Sequence, residues 1–474
     1  MGDFAIRKTG GLYRTLPFTD IELSSALFLL GELLVVGMWA AYGNILFLPA
    51  VVIGLLVLYQ SLQSLVLWAA LVVLSYAVLF SQISEGISIV EVGFACLFYG
   101  GIGLWFIDRW YVKGEKILTV PGDLWFMLFL SFAAATILTA VVGEYTLVLW
   151  AREFLMFAGF LFYFPVREAM REERGRRAVY GAFLLLALVV AAQNLYRYRS
   201  GALVATFLWE LVGARQAANE PLMFAVVLAG VAVWMTTAQR WVRWLSLCIL
   251  LFFSLSLVLT FSRGYWIGTL VGIVVLFLLA RPSERRRLGF LTVIGVCGSI
   301  GLMFLVFPSI FVDLVVTVVN RFFSSALAFE DVSVTNRFAE SRAVWQLISA
   351  NPIAGAGLGS EIAFYHLLRR ATQHTFYIHN AYLYLWFKFG IVGLIVFLTA
   401  FLSKIRVGIT WLANCGNDAR RVSVMAAVAI LVAMLEITIT SPQFYARDSI
   451  LIITICWATI GSSLSGTREK KAHS

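Results

Sequence analysis

The sequence predicts an all-α, polytopic integral membrane bundle of about 12–14 transmembrane helices. Three observations predict it. Hydrophobic residues make up 61% of the chain and charged residues only 13%, too few charges to cover the surface of a soluble protein of this length. Apolar runs of about 18–22 residues recur from end to end, each long enough to cross a hydrocarbon core of roughly 30 Å as a helix. The short alternating pattern of a membrane barrel is absent, and Lys and Arg gather in every second connection.

Fourteen candidate spans follow: 21–41, 45–60, 63–81, 87–107, 122–142, 146–165, 178–195, 221–238, 242–261, 264–280, 288–307, 381–402, 422–440 and 448–464. The first run is too long for the apolar core of a cleaved signal and reads as an uncleaved span. The whole chain, 1–474, reads as one transmembrane domain. With the N-terminus inside, 24 of the 36 Lys and Arg residues fall in inside connections and ten fall outside, with Arg152 and Lys388 inside spans. This places both termini in the cytoplasm and gives the net charge of +10 a topological cause. Nothing in it points to nucleic acid. Of the five cysteines, four sit in apolar runs and Cys415 in a basic loop, so neither a disulfide framework nor a CxxC zinc pattern is present.

Two outside segments are long, Tyr196 to Asn219 and Pro308 to Ile378. The second should hold an amphipathic helix over Val312–Phe329 lying on the membrane surface. A helix capped by Thr335 should run from Asn336 to about Ala350, with Pro352 marking its end. A third helix is expected from about Glu361 to Ala371. Between them lies Gly355-Ala356-Gly357-Leu358-Gly359, either a flexible turn or backbone kept bare for a substrate; no preceding strand makes it a dinucleotide fingerprint. Segment 308–380 thus reads as a helical loop that carries part of the active site.

Outside arginines escape the topological explanation. Arg263 opens a span in Phe261-Ser262-Arg263-Gly264, where helix N–H groups and a guanidinium together favour an anion; the plainer reading is an interfacial arginine. Arg215 precedes another span start. Arg337 and Arg342, five residues apart on one helix, project about 140° from each other, and Glu340 could pair with Arg337. His379, followed by Asn380 at the mouth of a span, can titrate near neutrality and serve as a general base. A zinc site from His366, His374 and His379 is poorly supported by their spacing. The charges at Glu32, Glu91, Arg152, Glu153, Lys388 and Glu436 lie inside spans; structural pairing explains them more simply than proton-coupled transport.

His379-Asn380, nine residues, then Gly390-Ile391-Val392-Gly393 resembles the H-[NSQ]-x9-GxxG signature of O-antigen ligases. Arg337, followed fifteen residues later by Pro352 in Asn351-Pro352-Ile353-Ala354-Gly355-Ala356-Gly357-Leu358-Gly359, is similar to a further portion of the O-antigen ligase and polymerase superfamily. The run at Ser262–Gly264 looks like that family's basic residue at an outer span start, and Arg215 to Asn219 resembles another family arginine followed by Asn. The likeness covers residues 210–400; members commonly have about twelve spans.

The resemblance implies a GT-C-like glycosyltransferase of the inner membrane with its site facing the periplasm. Its donor would be a glycan on undecaprenyl diphosphate. Its acceptor would be lipid A–core in a ligase, or another lipid-linked glycan chain in a polymerase. No cofactor and no metal are implied. The essential histidine maps to His379 and the essential arginines to Arg263 and Arg337, with Arg215 and Arg342 as further candidates on the diphosphate. Arginines can neutralise the charge developing on a diphosphate leaving group, while His379 takes the acceptor proton. The alternatives are a polysaccharide polymerase or protein glycan transferase of the same superfamily, and, in a different class, a transporter or flippase working through carboxylates such as Glu32 and Glu436.

Overall fold

A computed structural model describes residues 64–81, 89–143, 147–205, 207–213, 219–323, 332–367, 370–415 and 418–472. Candidate spans 21–41 and 45–60, Glu32 and Arg215 lie outside the described residues. The chain divides into two compact units, Met1–Trp68 and Ala69–Ser474, and the second holds the candidate site.

Each of the twelve candidate spans from 63–81 onward meets a helix. Among the described residues, five helices are long and apolar enough to cross a membrane: Asp123–Val142, Leu147–Ala169, Glu173–Ala202, Arg240–Val258 and Ala381–Asn414. A sixth arises if the pair Cys297–Val306 and Pro308–Phe322, bent by 109°, is taken as one span. Leu65–Ala77, Glu220–Thr236 and Arg263–Leu279 are shorter apolar helices. Large apolar side chains such as Leu138, Leu185, Leu270, Leu278 and Leu305 stand exposed on these helices. So much uncovered apolar area is the mark of a surface that lipid covers. The fold is therefore an all-α polytopic membrane bundle.

The elements that build the site are α1 (Asp123–Ala135), α2 (Leu147–Ala158), α3 (Glu173–Ala202), α4 (Glu220–Thr236), α5 (Arg240–Val258), α6 (Arg263–Leu279), α7 (Pro282–Val306), α8 (Phe311–Phe323), α9 (Val332–Ala350), α10 (Ala381–Asn414), α11 (Arg421–Ile437) and α12 (Arg447–Ala472). Helices α6 and α11 pack closely, because α6 carries Gly264, Gly268 and Gly272 at four-residue spacing. A Cβ at Gly268 would stand 2.4 Å from Ile437 Cγ1, and one at Gly264 2.9 Å from Thr440 Oγ1. Small residues at this spacing let membrane helices approach where no hydrophobic driving force draws them together.

At one end of the bundle the basic connections are tied into the fold. Buried Asp123 accepts from Tyr163 Oη at 2.9 Å, from Arg167 at 2.8 Å and from Lys404 Nζ. Arg421 forks onto Glu284 at 2.7 and 3.1 Å. Arg287 donates to the carbonyls of Met235 and Thr237 at the end of α4. Cations at helix C-termini satisfy carbonyls that the helix leaves free.

The 308–380 segment agrees with expectation in one place and departs from it in two. The amphipathic helix is present as α8, Phe311–Phe323, and Leu314 on its inner side is fully buried. Helix α9 starts at Val332, so Thr335 lies within it and does not cap it. The stretch expected to be helical from Glu361 to Ala371 is instead an antiparallel hairpin of β1 (Ile362–His366) and β2 (Ala371–Thr375), with Ile362 opposite Thr375 and His366 opposite Ala371. Alternation decides it: Ile362 and Phe364 are buried while Ala363 and Tyr365 face out, the period of a half-buried strand.

Candidate active site

The two glycine motifs form one joint. Gly390 sits inside α10 with φ 64° and ψ −178°, a break in the helix. The chain around Gly355 docks into that break. Ala356 N–H donates to Phe387 O at 2.7 Å and Gly357 N–H to Lys388 O at 2.9 Å, while Ile391 N–H donates back to Pro352 O at 2.9 Å. The approach is backbone to backbone, so a Cβ at Gly390 would stand 1.8 Å from Ile353 O. Neither sequence expectation for the GxGxG run describes this: it is a packed joint, and its bare backbone serves α10.

A buried ion pair bolts the joint to α2. Glu153 accepts from Lys388 Nζ at 2.8 Å, from Tyr384 Oη at 3.0 Å and from Gly359 N–H at 2.5 Å. Lys388 Nζ also donates to Ser360 O at 2.5 Å. Both charges are therefore paired and hydrogen-bonded, the condition for keeping them in an apolar interior. Structural pairing accounts for these two intramembrane charges. Arg152 instead lies over the Phe376 ring, 5.5 Å from its centroid.

The start of α10 is equally fixed. Asn380 caps it, its Oδ1 accepting from Tyr382 N–H at 3.0 Å and Leu383 N–H at 3.1 Å. Ala381 N–H donates to Thr438 O at the end of α11. Ile378 is clasped by Tyr445, whose hydroxyl accepts from its N–H at 3.0 Å and donates to its carbonyl. His379 is thus held on both sides by backbone.

Its imidazole meets Glu340 of α9. The carboxylate meets His379 twice: Oε1 accepts from the backbone N–H at 2.7 Å, and Oε2 lies 2.8 Å from Nδ1. The Glu340 side chain is 3% exposed and that of His379 35%, so the acid is sealed while the ring opens outward. Tyr377 packs edge-on against the ring at 4.9 Å between centroids. Burial pushes the Tyr377 hydroxyl up to about 12, against the opposing pull of the Arg337 charge and with the help of Glu340.

The charge of Arg337 reaches the same hydroxyl. Arg337 acts on Tyr377 and lies three residues before Glu340, on the same side of α9. Glu220, at the start of α4, also acts on Tyr377, and it accepts from Ser262 Oγ at 2.8 Å. Ser262 is the residue before Arg263, which opens α6. The starts of α4 and α6, joined through Ser262 and Glu220, and the Glu340 stretch of α9, joined to the His379 turn, thus lie at the same end of the bundle, opposite the Asp123, Glu284 and Arg421 clusters. Arg342 is exposed, turned from the Arg337–Glu340 side. Arg215 lies outside the described residues.

Helical spacing offers Glu340 to Arg337; its bond to His379 is a contact that the sequence does not reveal. His366 and His374 sit on the hairpin, and among the described residues no group of three or more His, Cys, Asp or Glu is arranged around a common metal position. Of the other intramembrane charges, Glu91 pairs with Arg447 at 3.1 Å.

Residues 248–398 match the family model of O-antigen ligase. The matched stretch contains Arg263, Arg337, Glu340, Arg342, His379 and both halves of the glycine joint. No curated protein matches the chain. The family match supports the O-antigen ligase-like superfamily and a membrane glycosyltransferase-like function of ligase or polymerase type.

Proposed function

We propose that the protein transfers a glycan from undecaprenyl diphosphate to an acceptor hydroxyl at the periplasmic face of the inner membrane, as an O-antigen ligase-type enzyme of lipopolysaccharide assembly. The observation that carries this reading is the bond of His379 to Glu340, three residues after Arg337 on α9; Arg263 opens α6 beside Ser262, which binds Glu220 at the start of α4. A base and cations at one place suit displacement at an anomeric carbon bearing a diphosphate. The acceptor oxygen forms a bond to that carbon and gives its proton to His379. The bond from carbon to phosphate oxygen breaks, and undecaprenyl diphosphate leaves with the electron pair. Single displacement inverts the anomeric centre.

Arg263 and Arg337 stabilise the charge that grows on the leaving diphosphate, a role in which preorganised donors count most in a water-poor site. Arg215 is a secondary candidate for the same anion. Because arginines supply this charge, the reaction needs no divalent metal. The partly exposed imidazole beside Tyr445 and exposed Tyr377 marks where the acceptor enters. The polyprenyl chain remains among the lipid-facing helices.

The test is transfer by the purified full chain from a defined undecaprenyl-diphosphate glycan. Lipid A–core and a second lipid-linked glycan are offered in separate reactions, each with and without EDTA. Transfer to lipid A–core that persists in EDTA is expected. Extension of the second glycan alone would make the enzyme a polymerase. Loss with EDTA and return with Mg²⁺ would remove the arginine account.

A further inference from the structure

We propose that Glu340 is a positioning residue that sets the tautomer of His379, holding the proton on Nδ1 and leaving the Nε2 lone pair to meet the acceptor. Its catalytic consequence rests on the glycan-transfer reading above; the tautomer itself does not.

The argument is one of donors and acceptors. A carboxylate accepts at both oxygens, and an imidazole presents one donor and one acceptor when neutral. Glu340 Oε1 is committed to the backbone N–H of His379, which can only donate. Oε2, 2.8 Å from Nδ1, then requires a proton on that nitrogen. The carboxylate is 3% exposed, so water cannot readily replace either bond, and an unmade bond there would be costly. Among the described residues none hydrogen-bonds Nε2. The ring cannot easily turn to exchange its nitrogens either. Tyr377 lies edge-on against it, and the backbone on either side is held by Tyr445 and by the Asn380 cap. When Nε2 takes the acceptor proton, the resulting imidazolium sits against a buried carboxylate, which is how an orienting acid supports a histidine base.

Substitution by the isosteric amide gives a sharp expectation. In Glu340→Gln the amide oxygen must stay on the backbone N–H, because the amide NH₂ cannot face another donor. The NH₂ then points at Nδ1, which has to accept. The proton moves to Nε2 and blocks the base. Glu340→Gln should therefore be worse than Glu340→Ala, although it fills the same space.

The experiment is ¹⁵N NMR of histidine-labelled full-length protein in nanodiscs, with the His379 signals assigned from the His379→Ala spectrum. It is paired with turnover measurements. The expected results are an Nδ1–H neutral tautomer in the wild type and an Nε2–H tautomer in Glu340→Gln. Turnover in Glu340→Gln should fall by about 10²–10⁴ in kcat with little change in donor KM, the scale of losing a correctly oriented base. On a His379→Ala background the same substitution should cost little more, since the pair acts as a unit. An Nε2–H tautomer in the wild type overturns the proposal, and this readout does not depend on any Glu340 variant folding. So does turnover in Glu340→Gln above that of Glu340→Ala. If the wild-type tautomer is Nδ1–H but no glycan is transferred, the positioning role stands and the transfer reading falls.

Discussion

At the scale of single residues, the site separates groups visible in sequence from groups that only the fold brings in. His379 could be picked out because Asn380 follows it at the mouth of a span; in the structure Asn380 Oδ1 caps that helix, accepting from two backbone N–H groups. Glu340 could not, since its neighbour at helical spacing is Arg337 and its contact with His379 spans 39 residues of sequence. Local pairing is the default expectation for a charge on a helix, and a single sequence offers nothing to override it. Two predictions belong here. His379→Ala should lose roughly 10²–10⁴ in transfer rate, measured in single-turnover assays on protein of wild-type thermal stability; near-normal turnover would remove the base from the mechanism. Arg263→Lys should also be impaired, by about 10²–10³. An ammonium keeps the charge but not the planar fork that grips two phosphate oxygens. A lysine variant as fast as the wild type would show that Arg263 contributes charge alone, or lies off the donor.

At the scale of elements, the helices were legible because their apolar runs are long, while the hairpin was not because its strands are five residues each. A five-residue apolar stretch fits a strand or a turn of buried helix equally well, and only alternation separates them. Burial at Ile362 and Phe364 with exposure at Tyr365 supplied that alternation after the fact. The two glycine motifs show a different limit. Each is visible as a string, but that one fills the break in the other depends on a contact between residues 351–357 and 386–391. The joint makes a stability prediction. Gly390 occupies a backbone region open almost only to glycine, and a methyl group there would run into Ile353 O at 1.8 Å. Gly390→Ala should cost more than about 2 kcal/mol. Gly289→Ala, in α7 with nothing within 4 Å of its added carbon, should be neutral or slightly stabilising, since alanine favours helix by about 1 kcal/mol over glycine. Thermal unfolding of the two variants in the same detergent checks the pair; equal melting temperatures would mean the joint carries no strain requirement.

At the scale of the whole molecule, the distribution of charge and the position of the site make one statement about orientation. The connections rich in Lys and Arg gather around Asp123, Glu284 and Arg421, and the His379 turn, the hairpin and α9 lie at the other end. Basic connections stay in the cytoplasm during insertion, so the site end should face the periplasm. Two thiols can read this. Cys415 follows α10 in the basic connection between α10 and α11, and Arg342 is an exposed position on α9. In a background with the other four cysteines replaced, a membrane-impermeant maleimide applied to cells with a permeabilised outer membrane should label Arg342→Cys and spare Cys415. Opening the inner membrane should then expose Cys415 to label. The apolar surroundings of the spans cannot produce that contrast, because both positions lie outside the apolar runs. The reverse pattern would put His379 on the cytoplasmic side, where a donor glycan carried across the membrane would be out of reach. Labelling of both in intact inner membranes would mean that one of the two segments does not lie at the end to which its charges assign it.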